Sequence, residues 1–121
     1  MTRQEFTNER SLEFSKWIRK YLPDSATGLC VGNLDWILWN WKTKVLMIVE
    51  EKTRMGKVNI WHDRLMKEVF VPALKSFCEK NEIEFKGYHV IKFENTSPED
   101  GKIYLDGVEI DKDMLIALFG F

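Results

Sequence analysis

The hydrophobic and polar positions of the chain follow two different periods. Two short apolar runs, residues 36–41 and 45–49, are rich in aromatic and β-branched side chains and flank a polar segment, 42–44. Runs of this length and composition are typical of strands, so the pattern predicts a β-hairpin. We expect a four-residue loop, 41–44, because the segment lacks the Asn-Gly or Asp-Gly pair that favours a two-residue turn.

Helical spacing of apolar residues predicts two longer helices. The first covers residues 8–22, with Thr7 or Asn8 as the expected N-cap. Its apolar stripe consists of Phe14, Trp17, Ile18, Tyr21 and Leu22, which share one face at this spacing. The second covers residues 60–81 and follows the expected N-cap Asn59. We expect Pro72 to kink or split this helix, because proline removes a backbone hydrogen bond.

Shorter elements account for the rest of the chain. Residues 29–33 read as a short strand or a strand extension, and residues 85–93 as a longer strand. On the longer strand the alternation predicts that Phe85 and His89 share a face, with His89 a satisfied, partly buried histidine. Residues 102–110 predict a second hairpin, because Asp106-Gly107 favours a two-residue turn. Asp111 is then the expected cap of a short helix over residues 112–119.

This order of elements predicts an α/β fold in which a mixed central β-sheet is flanked by helices. The 121 residues suit one domain, 1–121. We expect its core over about residues 5–93 and an appendage, a C-terminal β-hairpin and short helix, over about residues 94–121. Because both faces of the first hairpin are apolar, the sheet needs cover on both sides.

Composition narrows the class of protein. A hydrophobic content of 45% argues against disorder, and Cys30 and Cys78 have no disulfide-framework or metal-site spacing. The chain shows no leader peptide and no apolar run near 18 residues, so we expect a cytoplasmic protein with no membrane contact. The net charge of −1 is unusual for a nucleic-acid binder. Residues 42–67, however, contain seven lysines and arginines against three acidic residues.

Charged residues stand at the outer ends of the predicted first hairpin. A four-residue loop, and equally a two-residue loop over residues 42–43, places Asp35 directly opposite Glu50. Lys52 then lies on the same face, while Glu51 points away. A three- or five-residue loop would move Asp35 to the other face. Opposed carboxylates raise each other's pKa unless a cation lies between them, and Mg²⁺ takes oxygen ligands. The alternative interpretation is a solvated charged end of an amphipathic hairpin.

Asp35 followed by Glu50-Glu51-Lys52 on consecutive strands resembles the PD-(D/E)xK phosphodiesterase (nuclease) superfamily over about residues 5–93. Leu34 stands where the family often has proline. The resemblance implies a restriction-endonuclease-like core and an endonuclease that hydrolyses DNA phosphodiester bonds with Mg²⁺ or Mn²⁺. Asp35 and Glu50 would bind the metal, and Lys52 would orient the attacking water. Glu13 on the first helix is the candidate for an additional metal-site acid, with Glu9 second because it points further from the core. A solvated carboxylate is the alternative.

The resemblance also implies contacts with nucleic acid, expected to be DNA, by basic residues near the site: Arg54, Lys57, Arg64 and Lys67. On the same helix, His62 is read as structural or surface-exposed rather than catalytic. Junction-resolving or structure-selective enzymes, such as archaeal Holliday-junction resolvases and small enzymes of phages or mobile elements, are analogies, and a homodimer would suit branched DNA. Two other functions stay open: a catalytically inactive nuclease-like module that binds nucleic acid or protein, and a structural protein of a virus or mobile element.

Overall fold

A computed structural model describes residues 9–23, 25–28 and 34–121. The chain divides into two compact units, Met1–Val31 and Gly32–Phe121. In the first unit lie α1 (Glu9–Tyr21) and a 3-10 turn (Ser25–Thr27). In the second lie, in chain order, β1 (Trp36–Asn40), β2 (Val45–Lys52), α2 (Ile60–Leu65), a π-helical turn (Met66–Phe70), α3 (Val71–Lys80), β3 (Glu84–Phe93), β4 (Ile103–Leu105), β5 (Val108–Ile110) and α4 (Lys112–Phe119).

The first predicted helix is confirmed as α1. Its aromatic stripe is continuous, because the ring centroids of Phe14 and Trp17 are 6.0 Å apart and those of Trp17 and Tyr21 are 5.3 Å apart. All three aromatic side chains are exposed. The expected caps Thr7 and Asn8 and the strand expected at residues 29–33 lie outside the described residues.

The five strands form one sheet in the order β1-β2-β3-β4-β5. Strands β2 and β3 are parallel, and the other three neighbouring pairs are antiparallel. The parallel pair is joined by α2, the π-helical turn and α3, a helical connection of the kind that parallel neighbours require. The prediction of a mixed α/β fold is therefore confirmed.

The hairpin formed by β1 and β2 has the predicted register. Trp36 pairs with Val49 and Asn40 with Val45, so four residues, 41–44, form the turn. The Asn40 side chain shapes this turn, since its Oδ1 accepts hydrogen bonds from the backbone N–H groups of Lys42 and Thr43 at 2.9 and 3.1 Å. An asparagine at the start of a turn commonly replaces backbone hydrogen bonds in this way.

The main core lies on one face of the sheet. Its buried members are Met47, Val49, Ile91, Phe93, Ile103 and Leu115. Phe119 and Phe121 pack against this cluster. The C-terminal hairpin and helix, expected as an appendage, thus supply two of the buried core residues, Ile103 from β4 and Leu115 from α4.

The other face of the sheet is only partly covered. Ile48 on β2 and Cys78 on α3 are among the most deeply buried side chains, and α3 packs against β3. On the edge strand β1, however, Ile37 and Trp39 are 57% and 45% exposed. Within residues 34–121 the cover of this face therefore does not extend to β1, and cover of both faces by the two predicted helices stays a prediction.

The second predicted helix is split next to Pro72, as expected. The π-helical turn ends just before α3, in whose first turn Pro72 lies, and the N–H of Val71 donates to the carbonyl of Met66, five residues earlier. A wider turn relieves the clash that a proline ring makes with the carbonyl four residues before it. None of the described helices is long and apolar enough to span a membrane.

Strand β3 departs from the predicted alternation at its start. Leu46 pairs with Phe85, whereas Ile48 pairs with Tyr88, so β3 contains one extra residue in a bulge. Gly87 adopts a φ of +94° there, a conformation that favours glycine. Phe85 therefore shares a face with Tyr88, and the predicted grouping of Phe85 with His89 is wrong.

His89 is satisfied and partly buried, as predicted. Its Nδ1 lies 2.6 Å from Asp106 Oδ2, and its Nε2 lies 2.6 Å from the carbonyl oxygen of Lys86. Asp106 and Gly107 form the predicted turn between β4 and β5, with φ angles of +50° and +84°. His89 thus ties the bulge of β3 to this turn.

We predict that Asp111→Ala lowers the free energy of unfolding by about 1 kcal/mol, the usual cost of losing an N-cap. The Asp111 side chain accepts a hydrogen bond from the N–H of Met114 at 2.8 Å and so caps α4. Asp111→Asn keeps the acceptor and should stay close to the unmodified protein. Urea denaturation followed by tryptophan fluorescence measures both. Equal losses for the two variants would contradict the capping role.

Candidate functional site

Three of the predicted site residues meet at one end of the β1–β2 hairpin. Asp35 immediately precedes β1, and Glu50 and Lys52 lie near the end of β2. Lys52 Nζ is 3.3 Å from Glu50 Oε1, and Glu50 is only 5% exposed. The hairpin register continues by one residue from Trp36↔Val49 to Asp35 and Glu50, which places these two side chains on the same face.

Asp35 is held in position by the neighbouring strand. Its Oδ2 accepts a hydrogen bond from the backbone N–H of Glu51 at 2.8 Å. A side-chain hydrogen bond between the carboxyl groups of Asp35 and Glu50 also raises the pKa of Glu50. The two carboxyl groups are therefore neighbours, as the register predicted.

The surroundings of Glu50 disfavour its charged form. Burial is the main cause of a raised pKa of its carboxyl group, and repulsion by Asp35 adds to it. The nearby His62 and Lys52 act in the opposite direction and only partly compensate. A buried carboxylate with a like-charged neighbour is stabilised by a bound cation, because the cation opposes both effects.

His62 reaches this site from α2, whereas the sequence favoured a structural or surface-exposed role for it. It is 6% exposed, and its Nε2 lies 3.0 Å from Glu50 Oε2. Asn59 caps the helix by accepting from the N–H groups of Trp61 and His62 at 2.9 and 3.1 Å. The available sequence signal was helical spacing, since His62 and the buried Met66 are four residues apart and so lie on the same face.

Two buried polar atoms beside Glu50 have no hydrogen-bond partner among the described residues. They are the Tyr88 hydroxyl and His62 Nε2, and the latter lies at ion-pair distance from Glu50 without hydrogen-bond geometry. Burial is the main cause of a strongly raised pKa of Tyr88, and the carboxylates of Glu50, Asp63 and Asp35 add to it. Such atoms are rare in proteins and usually accompany a bound ion, ordered water or a catalytic role.

A second lysine lies next to Lys52. Lys92 on β3 is its direct partner across the parallel strands, so the two side chains share a face. No carboxylate of the described residues lies within salt-bridge distance of Lys92. Like charges directly opposite each other destabilise a sheet, and an anion bound between them would remove that cost. Sequence reasoning missed Lys92 because a parallel register depends on contacts distant in the chain.

The remaining basic candidates lie in the loop after β2 and on the helical segment that follows it. Arg54 and Lys57 are exposed in the loop after β2. Arg64 and Lys67, on α2 and the π-helical turn, form ion pairs with acidic residues one turn away, each at 3.0 Å. Exposed pairs of this kind contribute little to stability, so both side chains can change partner at low cost.

Glu13 lies on α1, in the first of the two units. Its carboxylate is exposed and is 3.8 Å from Lys16 Nζ, one turn further along the helix. The role expected for Glu13 as an additional metal-site acid stays a prediction.

The donor set suits a cation that needs few protein ligands. Among the described residues, no three His, Cys, Asp or Glu side chains form a ready-made metal cluster. Mg²⁺ commonly binds through one or two carboxylates and keeps several waters. The adjacent carboxyl groups of Asp35 and Glu50 and the unpartnered polar atoms beside them therefore fit such an ion.

Comparison of the chain with protein-family models, curated proteins and solved structures finds no match.

We predict that the stability of Glu50→Gln, taken relative to the unmodified chain, rises as the pH increases from 4 to 7. The folded state raises the pKa of Glu50 above its ordinary value of 4.5. A raised carboxyl pKa gives stability that is present at low pH and is lost as the pH rises through the folded-state pKa. Chemical denaturation of both proteins without metal, between pH 4 and pH 7, measures the difference.

Asp35→Asn provides the control for this titration. Asparagine still offers an oxygen to the Glu51 N–H, but it removes the charge that repels Glu50. In this background the effect of Glu50→Gln should be smaller, since one of the two main causes of the pKa rise is gone. A stability difference between the unmodified protein and Glu50→Gln that does not vary with pH would contradict the raised pKa.

Proposed function

We propose that this chain is a metal-dependent endonuclease with a restriction-endonuclease-like core, similar to the PD-(D/E)xK superfamily, and that it hydrolyses phosphodiester bonds in DNA with Mg²⁺ or Mn²⁺. One observation carries the proposal: Asp35, buried Glu50 and Lys52 meet at the end of the hairpin in the register expected from the sequence. A solvated charged hairpin end would not bury the carboxylate of Glu50 to 5% exposure.

Asp35 and Glu50 would hold the cation. When bound, it would lower the pKa of a water molecule and neutralise charge on the scissile phosphate. Lys52 has an ammonium group with three donors and is partly exposed, with 26% of its side chain accessible. It can therefore orient a water molecule and stabilise negative charge that develops on the phosphate oxygens.

The substrate chemistry follows from the charges around these residues. Lys92 lies beside Lys52 and has no counter-charge among the described residues. It is therefore suited to bind a neighbouring phosphate on the DNA strand that is cut. Arg54 and Lys57 are exposed in the loop that leaves the site and extend the positive surface. Contacts to phosphates position a nucleic acid without reading its sequence. A shape-selective or junction-resolving enzyme, acting as a homodimer, is consistent with such contacts.

A binding module without turnover is the second candidate. Both carboxylate oxygens of Glu50 are already close to a side chain of the protein, Oε1 to Lys52 and Oε2 to His62. A site that is complete in this way could have a structural role in a protein that binds nucleic acid but does not cut it.

The test is cleavage of linear, nicked, flapped and four-way DNA, with RNA for comparison, by purified protein with Mg²⁺ or Mn²⁺. We predict that Asp35→Asn, Glu50→Gln and Lys52→Ala each reduce the initial rate by about 100-fold or more, the usual scale for losing a group that stabilises developing charge. Lys86→Ala is the matched control, because Lys86 lies at the other end of β3, where its ammonium contacts the ring of Phe121. It should cut at the unmodified rate.

Two results would contradict the proposed endonuclease activity. In the first, the protein binds DNA but cuts none of the substrates, and Lys52→Ala leaves this binding unchanged. That result would favour the binding module. The other is cleavage that survives all three site substitutions, which would point to a contaminating nuclease. Thermal unfolding of each variant shows whether it is folded.

A further inference from the structure

A row of three side chains crosses the sheet beside the candidate site. Lys52 on β2 pairs directly with Lys92 on β3, and Lys92 pairs directly with Tyr104 on β4. Direct partners on neighbouring strands point to the same face of a sheet, so these three side chains lie side by side. Because neighbouring strands are about 4.8 Å apart, the row extends over about 10 Å.

The alternation of the strands places this row on the face opposite the main core. Ile91 and Phe93, on either side of Lys92, are buried in that core, as is Ile103 next to Tyr104. Lys92 and Tyr104 therefore point away from the core. Both side chains keep part of their surface accessible to solvent, so a ligand can reach them there.

The row also lacks partners within the part of the chain that the structure describes. There, Lys92 forms no ion pair, and the ring of Tyr104 contacts neither another ring nor a cation. The adjacent ammonium groups of Lys52 and Lys92 repel each other, and a bound anion would remove this repulsion. A partly exposed aromatic ring without a stacking partner is suited to stack on a nucleobase.

We propose that this row binds an unpaired nucleotide of single-stranded DNA, with Lys92 holding a phosphate and the ring of Tyr104 stacking on a base. The inference rests on the proposed function, since it takes the ligand to be the strand that is cut beside Lys52. Proteins that bind single strands combine basic side chains along the backbone with aromatic rings on which bases stack. A base within a continuous duplex already stacks on its neighbours. The row therefore favours single strands, flaps and branch points over duplex DNA.

The far end of the row determines which part of the nucleotide lies there. Glu109 on β5 is the direct partner of Tyr104 and is exposed. Its carboxylate repels phosphate, so a further phosphate beyond Lys92 is disfavoured. A base carries no net charge and tolerates this neighbour. The charges thus assign the lysine end of the row to the DNA backbone and the Tyr104 end to a base.

Fluorescence anisotropy of a labelled single-stranded DNA measures binding by the full chain in EDTA, where a metal-dependent nuclease does not cut. All affinities are compared within this one condition. We predict that Tyr104→Leu, which keeps the apolar bulk but removes the ring, weakens binding by about 10-fold. Tyr104→Phe keeps the ring and should bind like the unmodified protein. An oligonucleotide of equal length with abasic sites should bind the unmodified protein more weakly and be insensitive to Tyr104→Leu.

Lys92→Ala tests the phosphate end of the row. It should weaken binding of both the ordinary and the abasic oligonucleotide. It should also reduce the slope of log affinity against log salt concentration by about 0.7, the value for one phosphate contact on a single strand. Lys86→Ala is the matched control, because Lys86 lies near the other end of β3, and it should change neither quantity.

The possible failures can be told apart. Equal binding of the ordinary and the abasic oligonucleotide by the unmodified protein would overturn the inference, and this comparison needs no variant to fold. Duplex DNA bound as tightly as the single strand would also overturn it. If cleavage requires Asp35 and Glu50 while Tyr104→Leu binds DNA normally, the inference fails and the nuclease proposal stands. Binding that depends on Tyr104 as predicted, without cleavage in Mg²⁺ or Mn²⁺, would support this binding mode and contradict the endonuclease. If the unmodified protein bound no DNA, both proposals would fail.

Discussion

The site depends on the antiparallel pairing of β1 with β2 in a single register. Asn40 fixes this register at the turn, where its Oδ1 accepts two backbone hydrogen bonds and its Nδ2 donates to the carbonyl of Phe121 at 2.8 Å. A shift of one residue would turn Asp35 toward the face that carries Met47 and Val49. The carboxylate would then be buried among apolar side chains without a partner, at a large cost in free energy. Correct folding of one turn therefore also assembles the candidate site.

Glu50 is where the stability of the fold and the chemistry of the site conflict. A buried charge is costly, and the attraction of Lys52 and His62 does not fully compensate for burial and the repulsion of Asp35. An apolar residue at this position would suit the core better. Unfavourable electrostatics of this kind tend to occur at functional sites, where a ligand relieves them. The conflict is thus the main physical reason for placing a cation here.

The features that the sequence predicted correctly are those decided by neighbouring residues. Turn residues, caps and apolar periods located the first hairpin, the caps Asn59 and Asp111, and the break at Pro72. The features it missed depend on contacts distant in the chain. The bulge at Gly87 changes the pairing of β2 with β3, and only that parallel register places Lys92 beside Lys52. His62 was given a structural or surface role, because its helical spacing to Met66 indicates burial but does not show that Glu50 is its neighbour.

The near-neutral charge of the chain becomes compatible with nucleic-acid binding when the charges are placed in space. The ammonium groups of Lys52 and Lys92 are neighbours, and only Lys52 is paired with a carboxylate of the described residues. A divalent cation at Glu50 would weaken the hold of that carboxylate on Lys52, because the cation competes for the same oxygens. Two lysines and the cation would then act together on a phosphate, and few other charges need to take part. Affinity built in this way involves few phosphates, so it should fall only gently with salt. Such binding would depend on occupation of the proposed metal site and not on the total charge of the protein.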